Sequence, residues 1–280
     1  MFHSESRRAF VLRTVAGVIA VPLCAADGQR FAPGDFVAIQ KGDLPIILSA
    51  PHGGEMTIPG VPVRTGEGLK TGPSGFFAGR DVNTERLAAA VGKAIEARLG
   101  KRPYSVISKC HRKYLDPNRP AEIGVENPKA LEIYDVYHAT LVKFCNEVQK
   151  RFGRGLVLDI HGQGSARDTV FRGTQNGRTD ALLVKLLGGK IHAGPQSLAG
   201  LLSARGINMQ PTDESPEKEG LAGGFIVQMC GRREGIGAVQ LEFGMDFREK
   251  EAIGAVAEKV ADGIVDFAKL YLLENPEPKK

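Results

Sequence analysis

Two short stretches carry residue types suited to metal chemistry. Pro51-His52-Gly53-Gly54-Glu55 follows the apolar run Pro45 to Ala50, and Asp159-Ile160-His161-Gly162 follows Leu156-Val157-Leu158. Continuous apolar runs of this length read as buried strands. Open α/β sheets place their ligands in the loops at the carboxyl ends of such strands. His52 and Glu55 stand three apart in a glycine-rich turn, so both can reach one point that His161 approaches from another strand end. Two imidazoles and a carboxylate form the three-ligand set of a catalytic zinc, with a fourth position left for water. The expected cofactor is one Zn2+ per chain, which acidifies that water and polarises a substrate carbonyl. The H-x-x-E pattern alone recurs by chance, and His/carboxylate sites accept several divalent ions.

Three further segments add to the set. In Leu115-Asp116-Pro117-Asn118-Arg119, the Asp116 carboxylate can accept the free ring N–H of a ligand histidine and so orient it. Arg119 suits bidentate grip of a carboxylate. Standing alone, the segment reads as an Asp-Pro-Asn turn with a solvated arginine. Gln240-Leu241-Glu242-Phe243 ends a late apolar run with a single acid. Partial burial raises a carboxyl pKa and suits Glu242 to take a proton from water and hand it on; the alternative is a glutamate paired with an arginine at a sheet edge. Gly223-Gly224-Phe225 either brings backbone N–H groups close to a substrate or is a plain turn.

The elements that must position these residues alternate along the chain. Strands are expected at Pro45 to Ala50, Tyr104 to Ser108, Leu156 to Ile160 and Gly237 to Phe243. Helices are expected from Thr84 to Leu99, with Asn83 as cap, from Tyr134 to Phe152, near 179–187 and 196–204, and from Arg248 to Leu272. Such alternation predicts an α/β fold with a mixed, mostly parallel sheet and helices on both faces. Gln210 to Gly224, rich in Glu, Pro and Gly, reads as a mobile surface loop.

Composition bounds the function. A chain of 280 residues, 42% hydrophobic and 25% charged, is neither disordered nor fibrous. Its net charge of +5 comes without a basic block interleaved with aromatics, which argues against nucleic acid as a partner. The four cysteines (24, 110, 145 and 230) make no CxxC pair. At the N-terminus, Arg7-Arg8, the apolar run Val15 to Leu23 and Cys24-Ala25-Ala26 read as an export signal over residues 1–26, too short for a stable membrane anchor. The S-R-R-x-F context resembles the twin-arginine type. The expectation is a periplasmic or secreted protein whose residues 27–280 form a single domain.

Taken in order, Pro51-His52-Gly53-Gly54-Glu55, Asp116-Pro117-Asn118-Arg119, Tyr137-His138, Asp159-Ile160-His161-Gly162, Gly223-Gly224 and Gln240-Leu241-Glu242 resemble the N-formylglutamate amidohydrolases. That family is related to the zinc carboxypeptidases and the aspartoacylase group. The resemblance spans about residues 44–245 and implies a three-layer, zinc-carboxypeptidase-like sandwich. It implies His52, Glu55 and His161 as zinc ligands and Glu242 as general acid/base. Asn118 and Arg119 would grip the substrate carboxylate, with Arg112 as a second cation, and Asp116 and Asp159 would stand behind the ligand histidines. The implied reaction is hydrolysis of an N-acyl amino acid of the N-formylglutamate type, with a small carboxylate-bearing molecule or peptide fragment as partner. The alternatives are an exported peptidoglycan amidase or carboxypeptidase on the same scaffold, and a catalytically silent carboxylate-binding protein.

Overall fold

Seven strands hydrogen-bond into one mixed sheet: β1 Val37–Gln40, β2 Ile46–Ala50, β3 Tyr104–Ser108, β4 Gly155–Gly162, β5 Val170–Gly173, β6 Met209–Gln210 and β7 Ile236–Phe243, in the order β1-β3-β2-β4-β7-β5-β6. This is a computed structural model in which residues 31–67 and 76–273 are described. The expected export segment 1–26 lies outside them, and the architecture here is that of the unit Ala32–Lys280. The central pairs β3/β2, β2/β4 and β4/β7 are parallel, whereas β1 joins β3 and β5 joins β7 antiparallel. The helices are α1 Thr84–Leu99, α2 Ala121–Gly124, α3 Pro128–Phe152, α4 Ala181–Leu187, α5 Leu198–Ala204, α6 Phe225–Cys230 and α7 Ile253–Tyr271. None of them is long and apolar enough to cross a membrane.

The two-residue period of a strand separates core from chemistry. Leu48 of β2, Leu156, Leu158 and Ile160 of β4, and Leu241 and Phe243 of β7 face one side and pack with Leu87, Val91 and Ile95 of α1 and with Val260, Ile264 and Phe267 of α7. Each such side chain contributes about 1.5–3 kcal/mol when fully buried. The intervening residues, Ser49, Asp159, His161, Gln240 and Glu242, face the other side. The parallel register sets them abreast: Ser49 beside Asp159, Asp159 beside Gln240, and His161 beside Glu242. On that side Tyr137 of α3 reaches Ser49.

Three sequence expectations are revised. Helix α3 starts at Pro128, not Tyr134, because Asn127 accepts from the Lys129 N–H as an N-cap and Pro128 fits the first turn. Helix α7 starts at Ile253, because Arg248 is held elsewhere, donating to the carbonyls of Phe243 (3.0 Å), Val82 (2.6 Å) and Gln163 (3.2 Å). Asn83 precedes α1 in the left-handed region (φ 67°) and does not cap it; its Nδ2 donates to the Arg248 carbonyl (2.8 Å). Arg248 and Asn83 thereby fasten the loop before α1 to the exits of β4 and β7.

The loop 210–224, expected to be mobile, is tied to the sheet by one buried side chain. The Glu217 carboxylate accepts from Arg172 Nε (3.1 Å), from the Thr174 N–H (2.7 Å) and hydroxyl (2.5 Å), and from the Asn176 N–H (2.9 Å). Glu217→Ala strands the buried Arg172 guanidinium and two backbone donors, so it should cost about 3–5 kcal/mol in denaturant unfolding. A loss below about 1 kcal/mol, the range of an exposed pair, would show that the clamp contributes little.

Candidate metal centre

His52 leaves the end of β2, His161 sits near the end of β4, and Asp81 stands just before α1. The Asp81 N–H donates to the His52 carbonyl (3.1 Å), so the two loops are stitched by main chain. Each imidazole commits its Nε2: that of His52 lies 2.7 Å from Asp116 Oδ1, and that of His161 lies 2.8 Å from Asp159 Oδ2. An ionised carboxylate only accepts, so each Nε2 carries the proton. The two Nδ1 atoms then face Asp81 Oδ2, at 3.3 and 3.2 Å. Among the described residues, His52, Asp81 and His161 are the group that could hold a metal ion, their ligand atoms lying within 4.8 Å of one another, all buried.

This donor set fits a divalent cation. With both Nε2 atoms protonated, the neutral rings aim two lone pairs at a carboxylate oxygen, an arrangement that repels itself unless a positive charge lies between. The surroundings carry the same bias. Burial pulls the His161 pKa down, but Asp159, Asp81 and Glu242 outweigh it and hold it well above the usual histidine value. Burial likewise pushes Asp81 and Asp116 up, yet His52 and His161 at Asp81, and His52 with Arg112 and Arg119 at Asp116, keep both carboxyls well below the ordinary range.

The supporting bonds extend outward. Tyr137 OH and Ser49 Oγ are 2.8 Å apart and the Ser49 hydroxyl donates to Asp159 (2.7 Å), so a buried chain fixes the carboxylate behind His161. Asp116 also accepts from Arg112 Nε (2.9 Å), Arg112 Nη2 (2.7 Å) and the Asn118 N–H (2.9 Å). His138 packs on Tyr134 and braces the 116–119 turn through the Pro117 carbonyl (2.9 Å).

Of the residues named from sequence, His52, His161, Asp116, Asp159 and Glu242 converge, and Glu55 does not. Beyond Gly54 the chain runs beside residues 109–111, with the Met56 N–H on the Lys109 carbonyl (2.7 Å), and Glu55 turns to solvent, its side chain 59% exposed and paired with Arg80 at 2.7 Å. The carboxylate between the histidines is Asp81, which spacing alone did not single out; the available signal was an acid directly ahead of the predicted α1. Asn118, expected to grip the substrate, lines the cavity while its carboxamide is held by neighbours. Its Oδ1 accepts from the Ile226 N–H (2.9 Å), and its Nδ2 donates to Gln240 Oε1 (3.2 Å) and lies 3.3 Å from His161 Nε2. Arg112 is engaged by Asp116 and stands 3.8 Å from Asp81. Arg119 has no carboxylate partner among the described residues; its Nη1 rests on the Asn118 carbonyl (3.0 Å).

A cavity of about 270 Å³ spans these groups, with the metal-site side chains, Glu242, Arg119 and the exposed Phe77 in its lining. Burial raises the Glu242 pKa to about 7 against the pull of His161, with Asp81 and Asp159 adding to the rise. Gln240, named from sequence only as part of the motif around Glu242, donates to Glu242 (2.7 Å) and accepts from the Gly224 N–H (2.9 Å). Gly223 is left-handed (φ 111°), and a Cβ on Gly224 would strike the Asn118 carboxamide, so this pair needs its glycines.

No protein-family model matches the chain, and no curated protein does. Among solved structures, N-formylglutamate amidohydrolase from Ralstonia eutropha superposes with a TM-score of 0.54 at 15% identity, covering 84% of this chain and 96% of that one. A gene product from Agrobacterium tumefaciens gives 0.54 at 13% identity, covering 85% and 97%. The seven-stranded α/β architecture is thus the zinc-carboxypeptidase-like fold that the motif order implied.

Asp81→Ala should weaken zinc binding, read by calorimetry, by more than the about 10–100-fold that loss of an outer partner costs. Glu55→Ala should leave the affinity unchanged. The reverse ranking would restore Glu55 as the ligand.

Proposed function

We propose that the chain is a metal-dependent amidohydrolase that cleaves the amide bond of a small N-acyl amino acid, as N-formylglutamate amidohydrolases do, and holds its substrate by the α-carboxylate. The observation that carries this reading is the convergence of two oriented Nδ1 atoms on Asp81 Oδ2 in a cavity that also holds Glu242 and Arg119, which has no carboxylate partner among the described residues. His52, Asp81 and His161 would hold the ion, which when bound supplies a Lewis acid and lowers the pKa of water.

The chain's own residues supply the rest. Arg119 draws in the substrate carboxylate and fixes the acyl carbon over the site, an orientation effect worth several kcal/mol of barrier. Glu242, its pKa near neutrality, takes a proton from the water that adds to the acyl carbon. It returns that proton to the amine nitrogen as the C–N bond breaks, releasing a carboxylic acid and a free amino acid. Gln240 holds Oε1 of Glu242 through this exchange.

The test is release of the acid from N-formyl amino acids by the purified chain supplied with zinc. Turnover that a chelator abolishes supports the reading. Glu242→Gln should keep its zinc and lose about 10²–10⁴-fold in kcat, and an active variant would contradict the assigned role. Zinc-loaded protein that hydrolyses no N-acyl amino acid would refute the substrate class.

A further inference from the structure

Beside the metal cavity lies a second chamber of about 410 Å³, and the two share Asn118, Arg119, Gly220, Gly223 and Gly224. Arg119 therefore stands at the divide. The chamber walls contain Ile123, Phe225 and the carboxamides of Gln175 and Gln228, and Arg119 is the one charged residue in the lining. The side chain of Gln228 makes no hydrogen bond to other described residues, whereas Gln175 Nε2 donates to the Gly223 carbonyl. Gln175 and Asn176 are both held at positive φ (54° and 52°). The Glu217 clamp fixes that turn as a wall of the chamber.

This layout bears on substrate choice. A leaving amino acid whose α-carboxylate lies on Arg119 has its side chain beyond the divide, in the chamber. A dicarboxylic amino acid would place a second negative charge in this partly exposed chamber with no second cation in its lining, since Arg112 lies in the other cavity and is engaged by Asp116. A carboxylate there gives up part of its hydration for neutral carboxamide and apolar neighbours and gains no ion pair in return. An uncharged side chain meets two carboxamides, an aromatic ring and an isoleucine.

Resting on the proposed amidohydrolase reading, we infer that the substrate is an N-acyl derivative of an amino acid with a large, uncharged side chain, not of a dicarboxylic one. Gln228 and Gln175 are the specificity-determining groups. The direct comparison is N-formyl-L-glutamine with N-formyl-L-glutamate, which differ at the side-chain terminus by an amide against a charge, with N-formyl-L-phenylalanine as a third substrate. On the zinc-loaded full chain, both uncharged substrates should exceed the glutamate derivative in kcat/KM by about tenfold, as expected for a site that offers the second carboxylate no cation. Free glutamine should also inhibit more strongly than free glutamate. Gln228→Lys, which adds a cation on a partly exposed helix face, should shift the preference toward glutamate. Equal or better turnover of the glutamate derivative overturns this inference and leaves the amidohydrolase reading standing. No hydrolysis of any of the three by zinc-loaded protein removes both.

Discussion

Two buried ring nitrogens donating to two buried carboxylates set the character of this protein. Once His52 and His161 spend their Nε2 protons on Asp116 and Asp159, their Nδ1 lone pairs have one direction left, toward Asp81. Three electron-rich atoms then meet where water is largely excluded. A pocket so built is stable only with positive charge at its centre, as protons or as a metal ion. The Ser49–Tyr137 chain, the Arg112 fork and the Asn118 amide keep those carboxylates in place.

The sheet makes this arrangement possible at low cost to the core. Because β2, β4 and β7 pair in parallel and in register, one face carries Ser49, Asp159, His161, Gln240 and Glu242 while the opposite face is apolar. The polar groups cluster toward the carboxyl ends, where the strands give way to loops. Arg248 spends its guanidinium on three loop and strand-end carbonyls and so fixes the approach of Asp81 to the histidines.

Much of this was legible in the sequence, for local reasons. Strands β2, β3, β4 and β7 and helix α1 announce themselves because each strand is a short, mainly apolar run with few polar residues, and α1 repeats its apolar face up to Gly100. His52, Asp116, Asp159, His161 and Glu242 follow from their positions at or just beyond such elements. Asp81 does not, because its approach depends on a long excursion after β2 closed by contacts with Arg248 and Asn83, which no local pattern encodes. Glu55 misled for the converse reason: three-residue spacing makes a shared site feasible, but the bridge from Met56 to Cys110 turns that side chain outward. The short strands β1 and β6 exist through pairing with their neighbours and leave little periodic trace.

The most direct test of the account is anomalous diffraction at the zinc edge from crystals of the chain grown with zinc. A single peak within bonding distance of His52 Nδ1, His161 Nδ1 and an Asp81 oxygen is the predicted result. A peak on either Nε2, a peak at Glu55, or no peak at a site the histidines share would contradict it.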